Sequence, residues 1–192
     1  MPRKHYEFKP DAAVSFFKKL YMTRLQRLTL LKWSLYALMC IVLLVFQDVT
    51  LSQVRIFGAG TDLAPAAIFL STVLVGCEHG PTFALAASVF YWFSGSAPAP
   101  YCIGLITVLA VLATLVRQSF WRHGFRSTVI CAGAGLVLYE ILLFLVALMT
   151  GLAPFSRAGA FLLTGIYSTI AMIPLYPLAR KIGQIGGETW KE

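Results

Sequence analysis

Glu140 is the residue of this sequence whose chemistry is least compatible with its surroundings. It lies near the middle of the fifth predicted membrane span, and no other ionisable residue lies as deep in an apolar run. A carboxyl group inside a membrane is costly and commonly marks a functional site. The alternative interpretation is a protonated, hydrogen-bonded packing residue.

The helical repeat places four further residues on the same stripe as Glu140, namely Gly133, Val137, Phe144 and Ala147. Small residues seven positions away on either side of the carboxyl group allow another helix to approach closely. The stripe is therefore predicted to contact either another span of this protein or the transmembrane helix of a partner.

No motif for catalysis or cofactor binding accompanies Glu140. The sequence contains no phosphate-binding glycine-rich loop, no HExxH, no GxSxG and no paired carboxylates within its apolar runs. The four cysteines form no CxxC pair, which is typical of buried thiols, and the three histidines have no second ligand at metal spacing. We predict no metal, no cofactor and no enzymatic activity.

The composition excludes an ordinary soluble domain. Only 12% of the 192 residues are charged, and the mean hydropathy is +0.76. A spanning helix needs about 20 mostly apolar residues, so the chain has room for six. The net charge of +8 sits mainly at the ends of apolar runs, which favours membrane orientation over nucleic-acid binding.

Six apolar runs define the predicted all-α membrane fold: Trp33 to Phe46, Leu63 to Cys77, Thr82 to Phe93, Tyr101 to Val116, Ser127 to Thr150 and Gly159 to Leu178. The second and third runs are short and are joined by a polar turn, so they are tilted spans or, alternatively, a re-entrant hairpin. Pro174 and Pro177 are expected to bend or end the last span.

The distribution of basic residues orients these spans. With a cytoplasmic N-terminus, 14 of the 16 Lys and Arg residues lie inside, and only Arg55 and Arg157 lie outside. Merging two spans would break this segregation, which is why six spans are preferred to five. The prediction is a multi-pass protein of the bacterial inner membrane with both termini in the cytoplasm.

Residues 1–32 form a basic segment ahead of the six-helix domain at 33–181, which is followed by a cytoplasmic tail at 182–192. Apolar residues recur at helical spacing from Phe16 onwards, which predicts an amphipathic helix lying on anionic lipid. A simple topogenic flank is the alternative. The basic residues assigned to the membrane surface are Lys18, Lys19, Arg24, Arg27 and Lys32.

Aromatic residues near the third and fourth spans have two interpretations. They form an interfacial belt, or some of them line a ligand pocket together with a carboxyl group. The residues assigned to that possible pocket are Asp62, Tyr91, Trp92 and Tyr101.

Several short patterns in this order resemble the MreD family of rod shape-determining membrane proteins. They are Asp62-Leu63, Gly80-Pro81, Ser94-Gly95-Ser96 and Gly104-Leu105, supported by the Pro-rich basic end from Pro174 to Lys181. The likeness covers roughly Trp33 to Lys181 by span order and length. One departure is Tyr91, because many members carry an acidic residue three positions before the Ser-Gly pair.

This resemblance implies a non-enzymatic scaffold of the bacterial cell-elongation complex. Such a scaffold binds an MreC-like single-span protein and works beside an MreB-like filament and the peptidoglycan polymerase complex. The fold implied is similar to the S components of energy-coupling-factor vitamin transporters, so a substrate-binding S component is the alternative function. S components usually carry alanines at four-residue spacing in the first span, where this chain has only Ala37.

Overall fold

The computed structural model describes residues 24–50, 58–120 and 124–185. These residues form six α-helices and no β-strand. The helices are α1 (Arg24–Val49), α2 (Leu63–Val75), α3 (Gly80–Phe93), α4 (Tyr101–Phe120), α5 (Phe125–Met149) and α6 (Ala158–Gly183), with a 3-10 turn at Phe155–Arg157.

Four of these helices are long and apolar enough to cross a membrane, namely α1, α4, α5 and α6. The prediction of an all-α, multi-pass membrane protein is confirmed at this level. The other two are shorter, with 13 residues in α2 and 14 in α3, and both fall below the roughly 20 residues that cross a bilayer alone.

The first helix is longer than the first predicted span. It begins at Arg24 and continues without interruption past Lys32 and Trp33 to Val49, so the helix has no break at the predicted end of the basic segment. Leucines on both sides of Lys32 extend the apolar run, and a lysine side chain can reach the interface from within such a helix. Residues 1–23, with Lys18 and Lys19, lie outside the described residues.

The last helix also extends beyond its predicted end. It runs through Pro174 and Pro177 as far as Gly183. Of the two effects expected of these prolines, bending or ending the span, ending it is wrong. Neighbouring helices in a membrane bundle compensate for the backbone hydrogen bonds that an internal proline removes.

The centre of the bundle is α2. Eleven of its 13 residues are buried, in an unbroken run from Leu63 to Val73, and it contacts each of the other five helices. Its sequence is apolar on every side, which is the pattern of a helix enclosed by protein. The other helices pack around α2, so its two ends lie within the bundle.

Side chains from neighbouring helices satisfy the N-terminal end of α2. The Ala64 amide donates a hydrogen bond to Oε1 of Gln47 on α1 (2.8 Å). The Asp62 amide donates to Oγ of Ser168 on α6 (2.7 Å). Because the first amides of a helix have no partner within it, these two contacts replace the water that an exposed helix end would bind.

The C-terminal end of α2 is satisfied by a guanidinium group. Nη1 of Arg117, a buried residue of α4, donates a hydrogen bond to the carbonyl oxygen of Val73. The helix then ends at Gly76, whose φ of 88° favours glycine and whose amide donates to the Thr72 carbonyl (3.0 Å). Backbone groups at both ends of α2 are hydrogen-bonded to side chains inside the bundle. The helix can therefore be short without exposing its backbone to lipid.

Candidate functional site

Glu140 is enclosed within the bundle. Its side chain is 2% exposed, and its Cγ lies 3.4 Å from the position that a Cβ on Gly165 of α6 would occupy. The backbone of Gly165 thus approaches α5 at Glu140 as closely as a glycine permits.

Most of the predicted stripe on α5 faces α6. A Cβ on Gly133 would lie 2.5 Å from Cγ2 of Thr169, and a Cβ on Gly165 would lie 3.2 Å from Cα of Val137. Phe144 packs on Phe161 of α6, with ring centroids 5.5 Å apart. Of the two contacts predicted for this stripe, another span of the same protein is the one seen in the structure. Ala147, at the far end, is partly buried beside the turn that follows α5.

The side chain of Asp62 reaches Glu140, and the two carboxyl groups lie close enough to hydrogen bond. Such a bond requires a proton on one of the two groups. Nε2 of Gln47 donates to Oδ1 of Asp62 (3.3 Å). Sequence reasoning found no paired carboxylates, because only the packing of α2 on α5 brings these distant positions together. Burial raises the pKa of Asp62, which lies just before α2, to about 6.

Asp62 and Glu140 line a cavity of about 480 Å³ at the end of the bundle where α1 ends and α2 begins. We call it the polar cavity. Its other polar walls come from the end of α1, the turn after α3 and the start of α6, and they are Gln47, Asp48, Thr61, Tyr91, Ser96, Arg157 and Thr164. Among the described residues, no group of His, Cys, Asp and Glu is arranged to hold a metal ion.

The turn after α3 is fixed to the rim of this cavity. Oγ of Ser96 donates a hydrogen bond to the carboxylate of Asp48, 2.9 Å from one oxygen and 2.8 Å from the other. Gly95, with φ of 79°, allows the sharp turn that brings Ser96 there. Oγ of Ser94 donates back to the carbonyl of Tyr91 (2.7 Å). The Ser-Gly-Ser pattern therefore ties the end of α3 to the end of α1.

The structure brings two of the four residues of the possible pocket to one cavity. Asp62 and Tyr91 line the polar cavity, and Tyr91 is 2% exposed. Trp92 instead packs on Phe93, with centroids 4.9 Å apart, and Tyr101 is 40% exposed; neither lines the cavity. Successive helical residues are about 100° apart around the axis, and Trp92 lies on a face of α3 that is turned away from the polar cavity.

A second cavity, of about 360 Å³, lies between α1, α2 and α3 and is lined almost entirely by apolar groups. We call it the apolar groove. Trp33, Ala37 and Phe90 form part of its wall, and Tyr91 lines both this groove and the polar cavity. Of the predicted membrane-surface residues, Arg27 is exposed and Lys32 is partly buried, and neither lines a cavity; the side chain of Arg24 is not described.

No family model, curated protein or solved structure matches this chain. The fold and the cavity nevertheless define a class of protein. The chain is an all-α, multi-pass membrane protein with a cavity lined by carboxyl groups at one end of its helical bundle.

Proposed function

We propose that this chain is a six-span, non-enzymatic scaffold of the bacterial cell-elongation machinery, similar to MreD. The observation that supports the proposal is where the residues of the resemblance lie. Asp62-Leu63 opens α2, Gly80-Pro81 opens α3 and Ser94-Gly95-Ser96 forms the turn after α3. Each pattern has a structural role at a helix end, as expected if the resemblance reflects a shared fold.

Gly80 illustrates this role. A Cβ at this position would lie 3.0 Å from the carbonyl oxygen of Thr72 and 3.1 Å from its Cγ2. The Gly80 amide donates to the carbonyl of Gly76 (2.8 Å). Glycine therefore lets α3 begin directly against the end of α2, and Pro81 starts the helix without losing an internal hydrogen bond.

The proposed scaffold has six spans, with α2 and α3 as the two short ones and both termini in the cytoplasm of a bacterium. The segregation of basic residues and the side-chain pairing of both ends of α2 support this topology. The basic segment of residues 1–32 would meet anionic lipid at the inner leaflet, with its last residues, from Arg24 onwards, in the helix that continues into the membrane.

Reporter fusions test this topology. A reporter inserted after Ser96 should be active outside the membrane, whereas the same reporter after Glu192 should be active in the cytoplasm. A fusion after Gly151, between α5 and α6, is the control and should match the Ser96 fusion. If the Ser96 and Glu192 fusions report the same side, α4, α5 and α6 do not all cross and the six-span topology is wrong.

The proposed partner surface for an MreC-like transmembrane helix is α1. In the most apolar 18-residue window of this helix 11% of residues are buried, against 50% for α5. Leu38, Val42 and Val45 are each more than half exposed and lie on one face. Through this partner the chain would act beside an MreB-like filament and the peptidoglycan polymerase complex.

Alanine substitution tests this surface. Replacing Leu38, Val42 and Val45 together by alanine should reduce co-purification of an MreC-like partner severalfold at equal expression, because it removes packing volume from the exposed face. Replacing Leu138 and Leu145 of α5, each 45% exposed, is the matched control and should leave capture unchanged. Full capture by the α1 variant would place the partner elsewhere.

The second candidate function is that of a substrate-binding S component, and the polar cavity favours it. Ligand pockets of transport proteins combine a concave shape with a few polar groups. The two functions differ in their partners, since an S component should co-purify with a transporter module containing ATPases rather than with an MreC-like protein.

A further inference from the structure

One oxygen of Glu140 is left without a hydrogen-bond partner. Glu140 is 2% exposed and lines the polar cavity, yet its Oε1 receives no hydrogen bond. A buried polar atom without a partner costs free energy, so native proteins rarely retain one without a role. Oγ1 of Thr61, which lines the same cavity, is also buried without a partner.

The floor of the cavity is rich in acceptors. Besides its contact with Glu140, Asp62 accepts a hydrogen bond from Gln47 at 3.3 Å, and Oε1 of Glu140 receives none. Even with a proton shared between them, the two carboxyl groups carry a negative charge away from bulk water. The group that fits them is a cation with several N–H donors, and a primary ammonium group has three.

The rim of the cavity carries charges of both signs, the carboxylate of Asp48 held by Ser96 and the guanidinium of Arg157. Arg157, an exposed residue of the 3-10 turn before α6, lines the cavity on the side of α6. A guanidinium group binds carboxylate and phosphate groups well. The cavity thus presents carboxyl groups at its floor and a guanidinium at its mouth.

We propose that the polar cavity binds a small zwitterion, with its primary ammonium group against Oε1 of Glu140 beside Asp62 and its acid group at Arg157. This ligand site is independent of the scaffold function proposed above. The volume of about 480 Å³ lies within the range of roughly 300–1,000 Å³ of ordinary ligand sites.

Two sources supply this chemistry: a free aminoalkyl acid or phosphate, and the headgroup of an aminophospholipid. Tyr91 lines both the polar cavity and the apolar groove, and the groove faces the side chains of α1, α2 and α3. In the lipid case an acyl chain would occupy the apolar groove, whereas a free zwitterion would leave the groove without a role in binding.

The test is calorimetric titration of the purified full-length chain in detergent with O-phosphoethanolamine. We expect saturable binding to the wild type, a loss of affinity of at least tenfold in Glu140→Gln, and no change in Glu78→Gln. Glu78 is the matched control because it is an exposed carboxylate in the turn before α3. Equal affinity of wild type and Glu140→Gln, or no binding by the wild type, would overturn the proposal.

Arg157→Gln keeps the proposal testable if Glu140→Gln does not fold, because Arg157 is exposed. This variant should bind O-phosphoethanolamine at least threefold more weakly and ethanolamine, which lacks the acid group, as the wild type does. Phosphocholine, whose quaternary nitrogen has no N–H donor, should bind at least tenfold more weakly than O-phosphoethanolamine. Equal binding of these two zwitterions would contradict recognition of a primary ammonium group.

The two sources are separated by dihexanoyl phosphatidylethanolamine. If it binds at least tenfold more tightly than O-phosphoethanolamine, and Ala37→Trp in the apolar groove removes that gain, the ligand is a lipid. If the two bind with similar affinity and Ala37→Trp has no effect, the ligand is a free zwitterion.

Discussion

Replacing Gly133 by leucine should prevent α5 and α6 from packing and should be among the most destabilising single changes in this protein. A Cβ at this position would lie only 2.5 Å from Cγ2 of Thr169, and leucine adds three more carbon atoms in the same direction. Overpacking of this kind costs about 1–3 kcal/mol or more, which corresponds to a Tm lower by roughly 2–12 °C in a chain of this size. Thermal unfolding of the purified protein in detergent measures this change in Tm.

Gly104→Leu is the matched control for this change. A Cβ on Gly104, in the first turns of α4, meets no atom within 4 Å, and the residue is exposed. The same substitution there should leave the Tm within about 2 °C of the wild type, since leucine is also the better helix former. Equal Tm values for the two leucine variants would show that α5 and α6 are not in close contact at Gly133.

A smaller substitution tests whether one methyl group, Cγ2 of Thr169, causes the steric clash at Gly133. Gly133→Ala should be less stable than Gly104→Ala, because Thr169 is held in place by the hydrogen bond from its Oγ1 to the Gly165 carbonyl (2.8 Å). Thr169→Ala removes the obstructing Cγ2, so the double variant should recover stability relative to Gly133→Ala. A strictly additive double-mutant cycle would contradict this contact.

Hydropathy and helical spacing predict much of the fold, because lipid imposes length and apolarity on every long span. α5 agrees with its predicted run to within two residues at its start, and Gly80 with Pro81 marks the beginning of α3. Helix ends are predicted less well. Leucines around Lys32 let α1 start earlier than the charge pattern suggests, and Pro174 does not stop α6, because tertiary packing outweighs local preference there.

The composition of the polar cavity could be predicted only in part. Glu140 stands out in the sequence as a carboxyl group in an apolar run, and Asp62 precedes one. Their pairing depends on how α2 packs on α5, which no local pattern encodes. Gln47 could have been identified from the sequence, because a side-chain amide at the end of an apolar run is a candidate partner for a buried backbone group. Arg157 could not have been identified from the sequence, because a lone arginine in a polar loop is typical of any outer surface.

Arg117 shows how a charge count can conceal a structural role. As one of the basic residues after the fourth predicted span it contributed to the positive-inside count. In the structure α4 continues to Phe120, and the side chain of Arg117 is buried and donates to the Val73 carbonyl at the end of α2. The residue can serve both purposes, since its position on α4 is near the end of the span while its side chain reaches into the bundle.

Removing this guanidinium should loosen the central helix at one end only. Arg117→Leu leaves the Val73 carbonyl buried without a donor, a loss of about 1–3 kcal/mol, which predicts a Tm lower by roughly 2–12 °C. Hydrogen–deuterium exchange gives the more specific measurement. The Gly76 amide, which closes the last turn of α2 on the Thr72 carbonyl, should exchange at least tenfold faster, as should its neighbours in peptides covering the end of α2.

The opposite end of α2 provides the internal control for that measurement. The Ala64 amide is held by Gln47, so peptides covering it should exchange at the wild-type rate in Arg117→Leu. Arg126→Leu is the control variant, because Arg126 is exposed in the first turn of α5, and it should leave both the Tm and exchange in α2 unchanged. If Arg117→Leu accelerates exchange equally at both ends, α2 depends on the stability of the whole bundle and not on this one hydrogen bond. An Arg117→Lys variant should lie between the wild type and Arg117→Leu, since an ammonium group keeps the donor but reaches less far and makes one contact where the guanidinium can make several.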